Sequence, residues 1–113
     1  MDSITNEKMK SYAFLKGMYE DDYFPDFLVD QGKDILIRLC ISIEKKRPKD
    51  LRELYRLTHA ATEEFNDLAE AFYENESEIE TAARDIIGTD FENIALNYGF
   101  NADVEELIAP RDW

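Results

Sequence analysis

Between Asp34 and Glu44 the chain reads DILIRLCISIE, and seven of the nine residues enclosed, all but Arg38 and Ser42, are apolar. In a chain of 113 residues such a stretch belongs inside the fold, and the rest of the chain has to wrap around it. Two conformations compete for it. On a helical wheel the seven cover nearly every direction, as in a helix surrounded by its own protein. Ile35, Ile37, Leu39, Ile41 and Ile43 also alternate at period two, as in a half-buried strand. A strand needs partners, and no other stretch supplies a run of β-branched residues bounded by turns. The segment is accordingly read as helix, with the strand kept as the alternative.

The flanking sequence extends that helix in both directions. Pro25 suits a first helical position, Asp26 adds negative charge to the first turn, and Lys45, Lys46 and Arg47 place positive charge at the far end before Pro48 stops it. Gly32 lies in its path and offers a possible break. Upstream, Met9, Tyr12, Ala13, Leu15 and Lys16 give an imperfect helical stripe over Asn6 to Met18. Downstream, Asp50 is an N-cap candidate for a long helix to Glu74, on which Leu54, Leu57, Thr58, Ala61, Phe65, Leu68 and Phe72 share one arc. Three shorter helices complete the reading. Ser77 with Glu80 forms a capping box for a helix ended by Gly88; Thr89 with Glu92 forms another for a helix ended by Gly99; Asn101 caps a last helix through Ile108, halted by Pro110. The expected fold is all-α: a compact single-domain bundle of about six helices spanning 1–113, with a long central helix pair.

Composition narrows the function. Acids outnumber bases 26 to 13, and the excess is uneven: residues 1–56 hold 11 of each, whereas residues 57–113 hold 15 acids and 2 bases. Such a surface repels phosphate backbones, which argues against nucleic acid, and steers a basic protein partner. KKRPK at 45–49 is explained by the helix dipole and is too short for a nucleic-acid patch. There is no apolar leader and no stretch near the roughly 20 apolar residues of a membrane span, so a soluble cytoplasmic protein is expected. Cys40 is the only cysteine and sits in the most apolar segment, as an inert thiol would.

Two groups of residues are candidates for chemistry. His59, Glu63 and Asp67 follow one another at intervals of four on the long helix, a donor set suited to zinc, iron or manganese. The same residues, with Glu70 and Glu74, lie opposite Ala61 on the wheel, where a solvated stripe belongs, and Arg56 stands where a helical Glu-x-x-His motif requires Glu. The second group is YEDDYFPDF at 19–27. Its Tyr19, Tyr23, Phe24 and Phe27 suit either interface anchors or a hydrophobic cover over the central helix, and Glu20, Asp21 and Asp22 lack the spacing of a calcium loop. No phosphate-binding loop, nucleophile elbow or zincin motif is present, and no cofactor is expected. The terminal Trp113 is expected to dock on the bundle or on a second subunit.

The stretches MYEDDYFPDFLVDQGKDIL at 18–36 and LTHAATEEFNDLAEAFYENESEIETAARDI at 57–86, and the ending ELIAPRDW, resemble a family of small, uncharacterised, all-helical bacterial proteins classed as a domain of unknown function. The resemblance implies a stand-alone bacterial protein and brings no activity, cofactor or assigned site. The functional expectation therefore rests on the residues. It is a non-enzymatic protein–protein interaction module, of the kind an immunity or antitoxin-like binder of a basic partner represents. The binding residues would be Tyr19, Asp21, Asp22, Tyr23, Phe24, Glu63, Asp67 and Glu70, and a homodimer is allowed. The alternative is a metal-dependent enzyme or metal-binding protein built on His59, Glu63 and Asp67.

Overall fold

Pro48 and the capping Asp50 force a sharp reversal between the two longest helical patterns, and the rest of the architecture follows from that reversal. A computed structural model describes residues 3–113; Met1 and Asp2, the start of the expected 1–113 domain, lie outside the described residues. The described residues form six helices in chain order: α1 (Glu7–Lys10), α2 (Lys16–Tyr19), α3 (Asp26–Lys46), α4 (Leu51–Glu74), α5 (Thr81–Asn97) and α6 (Val104–Leu107). The Cα radius of gyration is 13.4 Å, close to the roughly 13 Å of a compact chain of this length. The pieces form one globule.

The apolar 34–44 segment is helical and lies within α3. Its buried residues, Leu28, Val29, Gly32, Ile35, Leu36, Leu39, Cys40 and Ile43, recur at helical spacing, while Ile37 and Ile41 are half-buried. Gly32 does not break the helix. A Cβ there would stand 2.9 Å from the Leu15 side chain and 3.2 Å from the Phe65 ring, so the missing methyl is what lets both approach. At the C-terminus Arg47 turns into the left-handed region (φ 48°) and Pro48 prevents continuation. Asp50 then accepts the Glu53 N–H at 2.9 Å while Glu53 accepts that of Lys49 at 3.0 Å, which starts α4 running antiparallel to α3. α4 buries Leu54, Thr58, Ala61, Thr62, Phe65, Leu68 and Phe72 along one face.

The continuous helix expected over Asn6–Met18 is replaced by α1, a turning link and α2. The reason lies in two distant carboxylates. On α5, Asp90 accepts the Tyr12 hydroxyl at 2.5 Å and the Leu15 N–H at 2.8 Å, and Leu15 takes a left-handed conformation (φ 57°) to reach it. On α3, Glu44 accepts the N–H groups of Thr5 (2.9 Å) and Asn6 (3.0 Å), the Thr5 hydroxyl (3.0 Å) and the Tyr98 hydroxyl (2.5 Å). The N-terminal segment is thus a strap clamped at both ends, with Met9, Phe14, Leu15 and Met18 buried beneath it.

Three further boundaries differ from the sequence expectation. The helices expected on either side of Gly88 are one helix, α5: Gly88 is buried under Val104, whose methyl would lie 3.2 Å from an added Cβ, so it serves close packing rather than termination. Ser77 is not a cap. It is buried and donates to the Tyr23 carbonyl at 2.9 Å, and Thr89 and Glu92 are exposed within α5. Gly99 does end α5, at φ 88°, with the Gly99 N–H bonded to Leu96 O and the Phe100 N–H to Ala95 O. α6 is one turn, capped by Asp103 rather than Asn101. The tail then crosses α4: Asn66 donates to Pro110 O at 3.1 Å and accepts the Asp112 N–H at 3.0 Å. Trp113 docks on its own bundle, 6.0 Å from the Phe65 ring, and Arg84 Nε donates to its carbonyl.

The two clamps answer pH with opposite sign. Burial pushes Glu44 up, but the hydrogen bonds from Tyr98, Asn6 and Thr5 outweigh it and the net shift is below 4.5. Its stabilisation is complete above that value and is lost as pH falls through the lowered folded pKa. Asp90 is raised above 3.8, by burial first and against the hydrogen bonds from Tyr12 and Leu15. Its contribution is complete below 3.8 and declines as pH rises through the folded pKa. Glu44→Gln should therefore lower stability at neutral pH by about 1 kcal/mol after allowing for solvent screening, with the deficit vanishing in acid. Asp90→Asn should gain on the wild type over the same rise in pH. Urea midpoints between about pH 3 and pH 7 check both signs.

Candidate functional site

Charge is distributed along the α3–α4 pair in a way that neither helix reveals alone. Residues 19–34 carry six acids and Lys33, residues 67–80 carry six acids and no base, and residues 45–56 carry six bases and two acids. Antiparallel packing brings the first two stretches together. Phe24 meets Phe72 edge-on at 6.1 Å, and Ser77 bonds the Tyr23 carbonyl. One end of the pair is consequently acidic and the other basic.

The acidic end works against its own helix. Asp67, Glu70 and Glu74 follow at spacings of three and four toward the C-terminus of α4, where the dipole favours cations, and that last turn has no base. Glu76, just beyond, adopts φ 60° so that the Ser77 N–H can reach Phe72 O. Three aromatic rings stay in water among these carboxylates: Tyr23 is 41% exposed, Phe27 55% and Tyr73 72%. Asp21 shapes the turn that presents Tyr23 by accepting its N–H at 2.9 Å.

Running from this end between α3 and α4 is a groove of about 500 Å³. Asp30 and Asp34 stand on one wall and Glu64 and Asp67 on the other, and the floor is closed by the buried core residues Ile35 and Leu68 with the half-buried Ala71. Tyr19 donates to Asp30 at 2.5 Å, which fixes that carboxylate at the rim, and burial and then Asp30 itself push the phenol pKa up. Arg38 spans the groove, bonded to Asp34 at 2.8 Å and to Glu64 at 2.7 Å.

The residues anticipated from sequence separate into three places. Tyr19, Asp21, Asp22 and Tyr23 share the acidic end, but Phe24 is 2% exposed and anchors the segment on Phe72 rather than facing water. Asp67 belongs to the groove; Glu63 and Glu70 lie outside it, Glu63 beside Asn66 and Glu70 in a shallow hollow with Tyr73, Glu74 and Asp112. His59 is elsewhere again. Its ring stacks on Tyr55 and its Nε2 lies 2.6 Å from the Glu106 carbonyl; because a carbonyl only accepts, Nε2 carries the proton and ties α4 to the last turn. Steps of four residues drift by about 40° and rise about 6 Å, so His59 and Asp67 diverge around the helix. Among the described residues, no group of three or more His, Cys, Asp or Glu side chains is placed to hold a metal ion, and no helix is long and apolar enough to cross a membrane.

Asp30, Asp34, Arg38 and Glu64 were not singled out by sequence. Their signal was the polar gap in α3 formed by Asp30, Gln31, Asp34 and Arg38, which the surrounding isoleucines obscured.

Fold and site together define a small all-helical protein with a segregated charge and an open acidic groove. The chain belongs to a family of unknown function, DUF5713, whose model matches residues 8–113. No curated protein and no solved structure matches it.

The groove residues are separable from stability. Both Arg38 pairs are half-exposed, so Arg38→Ala should lower the unfolding free energy by less than about 1 kcal/mol in urea denaturation. Glu76→Gly, which relieves a left-handed glutamate at an acidic helix end, should raise it by about 1 kcal/mol with an unchanged denaturant slope.

Proposed function

We propose that this protein is a non-enzymatic binding module for a basic partner protein, and that it binds through its acidic, aromatic end. The observation that carries the reading is the exposure of Tyr23 and Phe27 amid a surface with one lysine among twelve carboxylates in residues 19–34 and 67–80. A folded chain gains nothing by leaving two rings in water, whereas an interface gains from aromatic anchors ringed by charge. The carboxylates steer a basic partner into encounter, and the rings supply contact area once water leaves. An immunity or antitoxin-like inhibitor, which covers a basic functional surface, is the biological role this chemistry suits.

The test is affinity capture of the tagged protein from its native cells at low and moderate salt, beside a Tyr23→Ser, Phe27→Ser variant. The expected result is one basic protein, retained by the wild type at low salt, shed as salt rises, and absent from the variant. Retention that the double substitution leaves unchanged, or the absence of any basic protein from the wild-type capture, overturns the proposal.

A further inference from the structure

We propose that two copies of the chain pair through the outward faces of α3 and α4. They lie antiparallel, so that the acidic end of each helix pair rests on the basic end of the other. The pairing goes beyond the basic-partner reading and does not depend on it.

Helical spacing defines the outward faces. On α3, Asp30, Asp34, Ile41 and Lys45 fall within an arc of about 60°, and on α4, Arg52, Arg56, Ala60, Asp67, Glu70 and Glu74 fall within about 80°. All of these are exposed except Ile41, which is half-buried. The buried stripes of both helices point the opposite way. Each face thus runs from acid to base, with Ile41 on α3 and Ala60 on α4 between the two signs.

The helix dipole accounts for this order on α3 but not on α4. Asp26 opens α3 and Lys45 and Lys46 close it, as the dipole prefers. On α4 the outward residue of the first turn is Arg52, and the last turns carry Glu70 and Glu74 with no base. These outward charges gain nothing from their own helix.

A surface that complements the face has to carry both signs, roughly 30 Å apart and in the opposite order. A partner basic along that whole length meets like charge at Arg52 and Arg56. The face itself, turned about a two-fold axis, supplies the required pattern, which is the condition for a closed dimer. At the centre, where the face meets its own copy, Arg38 is already paired with Asp34 at 2.8 Å and Glu64 at 2.7 Å. The net charge of −13 opposes pairing in every orientation. It is screened beyond about 8 Å at physiological salt, so the contacts between ends select the orientation: acids meet bases when the copies are antiparallel and acids meet acids when they are parallel. Two helices about 30 Å long and about 10 Å apart present roughly 600 Å² per copy. The pair then buries roughly 1,200 Å², at the low end of specific interfaces, and the dimer is weak and reversible.

The test is sedimentation equilibrium of the full chain at about 0.2 mM, a concentration suited to a weak dimer, near physiological salt. Two double variants accompany the wild type: Arg52→Glu with Arg56→Glu, and Glu70→Lys with Glu74→Lys. Both change α4 in the sense its dipole favours, so both should match or exceed the wild-type urea midpoint. The wild type should be largely dimeric, each variant alone should pair at least roughly tenfold more weakly, and an equimolar mixture of the two variants should recover the dimer. General repulsion predicts otherwise, because Glu70→Lys with Glu74→Lys takes the net charge from −13 to −9 and would strengthen association. A monomeric wild type, a Glu70→Lys, Glu74→Lys variant that pairs as well as the wild type, or a mixture that stays monomeric overturns the proposal. Because the pure chain is measured, failure here leaves the basic-partner reading to the capture experiment.

Discussion

The contact between Gly32 and the Phe65 ring holds the architecture together. Because Gly32 has no side chain, α3 and α4 approach closely enough for Phe65, Leu68 and the Leu15 side chain to converge on one backbone position. Phe65 then meets Phe91 of α5 at 5.9 Å and Trp113 of the tail at 6.0 Å. The strap, the third long helix and the C-terminal tail all reach the central pair through this point. A glycine in a helix costs about 1 kcal/mol relative to alanine, and here that cost is offset by dispersion contacts among side chains that a methyl group would hold apart.

Around this centre the carboxylates divide into two populations. Asp90 and Glu44 are surrounded by donors from the strap and from tyrosines, and they decide the path of residues 5–15. They lie where the backbone would otherwise leave N–H groups without partners. Those of residues 19–34 and 67–80 are mostly exposed and far exceed the cations near them. The first population explains the fold of the N-terminal segment; of the second, Asp21, Asp26, Asp30 and Asp34 have local partners or a favourable helix start, whereas those of 67–80 gather at the C-terminal end of α4 against its dipole. That asymmetry is why the functional reading rests on the acidic end rather than on the carboxylates that clamp the strap.

What could be read from sequence follows the range of the forces involved. Pro25, Pro48, Asp50 and Gly99 act on the backbone within a few residues, and each marks a boundary within about one residue of its expected place. Residues 6–18 carry no local sign of interruption, because the acceptor that breaks them is Asp90, 75 residues beyond Leu15. Gly88 is ambiguous by nature: the same residue ends a helix or admits a neighbour, and only the position of Val104 selects the second. The site divides along the same line. The aromatic and acidic character of 19–27 was plain in the chain, but its partner stretch at 67–80 is joined to it only by the antiparallel pairing. Asp67 was grouped with His59 by spacing along one helix, whereas packing gives it to a groove shared with α3 and gives His59 to the Glu106 carbonyl.

The short reversal at 47–50 has an electrostatic consequence beyond packing. In sequence the bases of 45–56 lie between the acid-rich stretches 19–34 and 67–80, an order in which opposite charges would average along a random coil. Folding the chain into a hairpin of two helices, 21 and 24 residues long, doubles the acids onto one end and leaves the bases at the other. At about 1.5 Å per residue, the two ends are separated by roughly 30 Å, several times the Debye length of about 8 Å at physiological salt. A partner approaching the acidic end is therefore screened from the basic one. The net charge of −13 describes the molecule less well than this separation does, since a basic ligand near Tyr23 and Phe27 experiences the carboxylates with little opposition. The fold turns a mixed sequence into an oriented field, and the groove lies along the direction in which that field changes.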